Sequence, residues 1–203
     1  MFILCLLAAF GIVWLLYING AFLPKWIDWK NREMSCDEGI TIVLSNRHIS
    51  VSTEEKDADN NADETEIIWE SPDGLLVQDY IWEDITGDGN RELVILGWRR
   101  GRFGKDRPFW VKKNDMSWSQ HIGVYTYSKE TNVIKSIWMA SDIGDYCSQW
   151  KYDIAHKHLL IQNNKGDVCS WRWSGFGFEK ADDTVSFAVA GDNLIHDNIY
   201  KYG

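Results

Sequence analysis

Oxygen-bearing side chains alternate along Asp84-Ile85-Thr86-Gly87-Asp88-Gly89-Asn90-Arg91-Glu92-Leu93, the arrangement a hard cation requires. Calcium takes about six to eight oxygen ligands in a flexible shell, so it needs carboxylates, amides and carbonyls on tightly curved backbone. Asp84, Thr86, Asp88 and Glu92 fall at loop positions one, three, five and nine, and the carbonyl of Asn90 supplies position seven. Gly89 follows Asp88 where the chain must turn sharply, and glycine accepts positive φ at least cost. The flanks, Leu75 to Trp82 and Glu92 to Trp98, are rich in β-branched and aromatic residues and are short enough to be strands. The loop therefore reads as one calcium site in a β-hairpin. The competing reading is a Gly-Asp turn whose acids are merely solvated.

The opening resembles an EF-hand loop, but position twelve, where that loop places a bidentate Glu, is Ile95. The loop and the strand after it are more similar to FG-GAP and VCBS type repeats, whose pattern D-x-[DN]-x-D-G-x-x-[DE]-L is met by Asp84, Asp88, Gly89, Glu92 and Leu93. Thr86 is the departure, a hydroxyl where the pattern has Asp or Asn. The resemblance implies blades of the kind that build the β-propellers of integrin α-subunit heads and of many bacterial surface proteins. It also implies a calcium-stabilised binding domain outside the cytoplasm.

Other residues offer chemistry less directly. His156 and His158 alternate, so on a strand they share a face near Asp153, as a metal or acid/base cluster would. Asp84, Asp88 and Glu92 also supply the carboxylates of a glycosidase pair, although their metal-loop spacing accounts for them better. The chain has no G-x-S-x-G elbow, H-E-x-x-H pair, Walker loop or Rossmann fingerprint, so it reads as non-catalytic. Arg99, Arg100, Arg102, Lys105 and Arg107 form a glycine-broken basic stretch bounded by Trp98, Phe109 and Trp110. That stretch is either a plain strand connection or an anionic ligand site in which guanidinium groups grip phosphate or carboxylate. A net charge of −9 opposes a phosphate backbone, so nucleic acid is not expected as a partner. Cys36, Cys147 and Cys169 lack zinc spacing. Cys147 and Cys169 form either a disulfide or two buried thiols.

The elements that position these groups are strands. Twelve tryptophans, eight tyrosines and eight phenylalanines against three prolines describe aromatic-rich β-structure. Aligning Ile68-Trp69 with Ile137-Trp138 sets Asp84-Ile85-Thr86 opposite Asp153-Ile154-Ala155, and Glu92 to Leu96 opposite His158 to Gln162. Upstream, Gly39 to Leu44 is set against Ile122 to Tyr127. A third unit begins at Val168 to Trp173 and continues through Thr184 to Val189. The second copy has Ala155-His156-Lys157-His158 where the first has its acidic loop, so one calcium site is expected. The acidic run from Glu54 to Glu66 reads as a solvated loop.

Phe2 to Leu23 is a nearly unbroken apolar run, about 33 Å long as a helix and enough for a hydrocarbon core of about 30 Å. No basic residue precedes it, and it exceeds the core of a cleavable signal, so it reads as an uncleaved transmembrane anchor. The resulting expectation is an all-β, propeller-like array of about three to four antiparallel repeats after one transmembrane helix. Residues 1–23 are the anchor, 24–38 a juxtamembrane tether, and 39–203 the FG-GAP/VCBS-like domain. Lys25, Lys30 and Arg32 would hold that side in the cytoplasm, while the resemblance implies an extracytoplasmic domain. The expected role is a membrane-anchored interaction module for a protein or envelope-polymer ligand. The alternative is a carbohydrate-active surface enzyme or its sugar-binding accessory domain, to be separated by whether Trp98, Trp110, Trp171 and Trp173 are exposed.

Overall fold

The structure, a computed structural model, describes residues 2–55, 64–102, 109, 111–113, 115–140, 143 and 146–181. Apart from an N-terminal helix α1 (Phe2–Ile18), its regular elements are strands, as expected for an all-β chain. The chain divides into two compact units, Met1–Gly144 and Asp145–Gly203.

The first unit carries α1 and two four-stranded antiparallel sheets. One is ordered β1 (Arg32–Ser35), β2 (Ile40–Ser45), β3 (His48–Glu55), β4 (Glu64–Glu70). The other is ordered β5 (Leu75–Glu83), β6 (Glu92–Arg100), β7 (Trp118–Ser128), β8 (Val133–Met139). The second unit holds a third sheet of β9 (Cys147–Asp153), β10 (His158–Asn163), β11 (Val168–Trp173) and β12 (Phe178–Lys180). Each sheet is a meander in which every strand pairs with its neighbour in the chain, the topology of a propeller blade.

Sequence pattern accounts for the layering of the first unit. In β2 buried and half-buried residues alternate, which directs Ile40, Ile42 and Leu44 to one face. They join Ile49 and Val51 to meet Val77, Tyr80, Leu93, Ile95 and Tyr125 of the second sheet in one core. The Tyr80 hydroxyl donates to the Ile42 carbonyl at 3.4 Å, and Trp69 lies 5.0 Å from Tyr125, ring to ring. The run Glu92 to Trp98 of β6 is buried throughout, as an interior strand covered on both faces must be.

The repeat alignment holds over part of its length. Trp69 and Trp138 both lie in the last strand of a sheet, while Asp84 directly follows, and Asp153 ends, the first strand of the next sheet. Glu92 to Leu96 and His158 to Gln162 both belong to second strands. Upstream the phase slips, because Gly39 to Leu44 leads into a second strand and Ile122 to Tyr127 lies in a third. Interior strands share one pattern of apolar and aromatic residues, which makes their ordinal place invisible to a sequence match. Thr184 to Val189, and most of the acidic run from Glu54 to Glu66, lie outside the described residues.

In the N-terminal region two bounds differ from those expected. The helix stops at Ile18, short of Leu23, and no helix among the described residues is long and apolar enough to cross a membrane. Gly20 causes the stop: at φ 73° it closes a Schellman turn in which Ala21 N–H donates to Leu16 O (2.9 Å) and Gly20 N–H to Tyr17 O (3.1 Å). The stretch read as a tether is part of the folded unit. Ile27 is buried, and Trp26 meets the Trp98 ring at 6.1 Å. Residues Arg32 to Ser35 pair with β2, and the Arg32 guanidinium binds Asp79 at 2.8 Å while lying 4.0 Å over the Tyr80 ring. Trp29 lies under Arg47 at 4.3 Å, where Asn46 and Arg47 turn the β2–β3 hairpin with φ of 51° and 66°. Both positive angles are what a two-residue type I′ turn demands.

Candidate cation loop and basic hairpin

The β5–β6 connection, Asp84 to Arg91, is closed by its own carboxylates. Asp84 Oδ1 accepts from Gly87 N–H at 2.7 Å and Oδ2 from Gly89 N–H at 3.1 Å. Gly87 and Gly89 take φ of 78° and 92°, which turns their N–H groups inward. Asp88 Oδ1 accepts from Asn90 N–H at 2.8 Å and from its side-chain amide at 3.1 Å. Glu92 closes the far side. Its Oε2 accepts from Ile85 N–H (2.9 Å) and Thr86 N–H (3.1 Å), and its Oε1 from the Thr86 hydroxyl (3.3 Å).

Glu92 is 1% exposed. Burial raises its pKa above the ordinary carboxylate value, the Ile85 and Thr86 donors pull it back, and the Asp88 charge adds to the rise. Against the β1–β2 turn, Arg91 reaches Asp37 at 3.7 Å and Glu38 at 3.9 Å, and Trp82 Nε1–H donates to Glu38 at 3.4 Å. Burial, then Glu38, pushes the nearby Cys36 thiol up to about 12, so it stays protonated and unreactive.

The five residues assigned to calcium are thus brought together on one loop. Their donor chemistry, hard oxygen throughout, suits the ion. Their orientation is that of a turn fastened to its own backbone, and among the described residues no three His, Cys, Asp or Glu side chains are grouped to hold a metal. Asp153 does the same work at the corresponding place in the third sheet, accepting from Ala155 N–H (3.1 Å) and His156 N–H (3.2 Å). Its carboxylate also meets His156 Nδ1 at 2.7 Å. Burial of Asp153 opposes ionisation, but the hydrogen bonds and charge of His156 outweigh it and lower the pKa. His158 is buried beside it in register, with no hydrogen-bond partner for Nδ1.

The basic stretch divides. Arg99 and Arg100 are the last residues of β6 and half-buried. Arg99 approaches the Met139 sulfur at 3.6 Å. Arg100 donates to the Met116 carbonyl at 3.4 Å and lies 5.2 Å from the ring centres of both Trp14 and Tyr17 on α1. Arg102 is exposed, and Lys105 and Arg107 lie outside the described residues. No residue pattern signals the docking of α1. Trp118 Nε1–H donates to Tyr17 O at 2.9 Å, a second bond to the carbonyl that also accepts Gly20 N–H.

Among the tryptophans that bear on sugar binding, Trp98 is buried and donates to Gln78 Oε1 at 3.0 Å, a structural role. Trp171 and Trp173 are half-buried, Trp173 standing edge-on to Phe178, and Trp110 lies outside the described residues. Cys147 and Cys169 are free thiols. Compared with known proteins, the chain matches no family model, no curated protein and no solved structure.

Proposed function

We propose that this chain is a membrane-anchored, non-catalytic interaction module of the FG-GAP/VCBS type, held to a lipid bilayer by α1 and presenting its strand-connecting loops to a ligand outside the cytoplasm. The observation that carries the anchor is α1 itself. Its apolar side chains from Ile3 to Leu16 are exposed on every side of the helix. A helix apolar all round requires an apolar surrounding, since in water it would forfeit the whole hydrophobic gain of burial. At 17 residues α1 is about 26 Å long, so Trp14 and Tyr17 near its end suit the headgroup layer that indole and phenol rings favour.

The non-catalytic reading is supported by the fate of the carboxylates. Asp84, Glu92 and Asp153, the acids best placed for proton transfer or displacement, accept hydrogen bonds from their own turns. If calcium binds, Asp84, Thr86, Asp88, the Asn90 carbonyl and Glu92 are the residues to hold it, and it would supply rigidity to the loop. The test is membrane extraction followed by protease. The tagged chain should stay with membranes through alkaline carbonate washing, and protease added to intact cells should remove residues 39–203. Release into the wash would remove the anchor, and protection until lysis would reverse the orientation.

A further inference from the structure

Neighbouring strands of the second sheet bring Ile95, Gly97 and Arg99 of β6 and His121, Gly123 and Tyr125 of β7 to one face. Gly97 stands opposite His121, and Gly123 opposite both Ile95 and Met139 of β8. Glycine inside a strand leaves a place where another group can come close. Leu75 covers Gly97, its Cδ1 lying 2.8 Å from where a Cβ would stand, and the Tyr125 ring covers Gly123 in the same way at 2.8 Å. Between these two side chains, Met139 and the β4–β5 turn at Asp73, a hollow of about 30 Å³ remains. That is room for about two waters, and so for one small charged group but not for a sugar ring.

Two groups lining the hollow have hydrogen-bonding capacity to spare. The Arg99 guanidinium is half-buried, and among the described residues its one polar contact is the Met139 sulfur at 3.6 Å, a weak acceptor. Tyr125 is 8% exposed, yet its hydroxyl has no hydrogen-bond partner among them. Burial raises the pKa of that phenol and the Arg99 charge pulls it back, so it keeps its proton and lies in the field of the guanidinium. His121 is already committed, its Nδ1 donating to Ala140 O at 2.9 Å and its Nε2 meeting the Ser119 hydroxyl at 2.8 Å. A fork of N–H donors beside one O–H donor, walled by Leu75 and Met139, matches a planar carboxylate. Asp73, exposed at the rim, opposes a dianion such as phosphate more than a monoanion. We infer that this hollow binds a single carboxylate group, gripped by the Arg99 guanidinium and the Tyr125 hydroxyl. The inference rests on the reading of the chain as a non-catalytic binding module and not on the anchor.

The test uses the full chain in detergent micelles and follows propionate by ligand-observed saturation-transfer NMR. Propionate should bind saturably, and propionamide, neutral and of the same shape, should fail to compete. Tyr125→Phe should weaken propionate about tenfold, and Arg99→Gln should abolish its binding. Asp73→Asn, at an exposed position, should tighten propionate at low salt and admit inorganic phosphate. An amidated peptide with one internal glutamate that competes more tightly than propionate assigns the carboxylate to a protein partner, and one that competes no better assigns it to a free small acid; both keep the site. Binding that survives Arg99→Gln, equal competition by propionamide, or phosphate held more tightly than propionate by the parent overturns the inference. Should Arg99→Gln fail to fold, Asp73→Asn decides, an unchanged affinity overturning it. No binding at all removes the site and leaves the module reading standing, whereas a peptide that is bound and cleaved keeps the site and overturns the module reading.

Discussion

The Trp118 indole N–H donates to the Tyr17 carbonyl at 2.9 Å, joining the end of α1 to the second sheet across 101 positions of chain. Arg100 approaches the same end of the helix, where the macrodipole favours a cation. Replacing Trp118 by Phe keeps most of the packing and removes the donor. A net loss of about 1 kcal/mol is expected, read as a lower melting temperature in detergent together with faster exchange over residues 15–21. An unchanged melt and unchanged exchange would show the bond to be idle.

Gly20 and Gly39 offer a matched pair. Both hold positive φ, 73° and 81°, but a Cβ at Gly20 would meet Leu76 Cδ1 at 2.7 Å and Leu23 Cδ1 at 2.9 Å, whereas at Gly39 nothing lies within 4 Å. Gly39→Ala should cost about 1 kcal/mol for the backbone alone, and Gly20→Ala should cost somewhat more because the Leu76 and Leu23 methyl ends must also give way. Equal losses would mean that the helix end yields freely.

Glu92 makes stability depend on pH with a definite sign. Its folded pKa is raised above the ordinary value of 4.5, so the folded chain holds this proton more tightly than the unfolded one. Its contribution is fully present below the ordinary value and is lost as pH rises through the raised one. Glu92→Gln keeps an acceptor for Ile85 and Thr86 and carries no charge, so it should flatten the melting profile across that window. Glu92→Ala leaves two backbone donors unpaired and should cost about 1–3 kcal/mol at every pH. A parent profile with no slope in the window would refute the assignment.

Calcium separates the two acids at the head of the loop. Saturating ion at about a hundredfold over Kd would add about 2.7 kcal/mol to the folded chain. Asp84→Ala should lower the melting temperature with or without calcium, since Gly87 and Gly89 N–H lose their acceptor. Asp88→Ala also removes the acceptor of Asn90 N–H, and should in addition reduce the calcium response. Equal calcium responses of parent and Asp88→Ala would leave the loop as a hydrogen-bonded turn alone.

These outcomes show where residue pattern ends as a guide. Strands β2 and β6 were legible because alternation and unbroken apolar runs are direct images of one-sided and two-sided burial. The Trp69 and Trp138 pair was legible as a local match, Ile-Trp in the last strand of a sheet. The helix end was not, because hydropathy continues through Leu23 while a single backbone angle at Gly20 turns the chain. Spacing placed Asp84, Asp88 and Glu92 on one loop correctly but carries no record of which way their lone pairs point. The packing of Trp26, Trp29 and Arg32 escaped because aromatic and basic residues after an apolar run look the same whether they meet lipid or a sheet.

The strand order has a kinetic consequence. Because each strand pairs with its immediate chain neighbour, hairpins can zip locally, with little loop entropy to overcome before each new pairing. The sheets can form one after another as synthesis proceeds, the first complete once β4 has emerged. The Tyr17 to Trp118 bond obeys a different clock. It must wait for β7, so α1 is made long before its docking surface exists and reaches that surface only after most of the first unit has assembled.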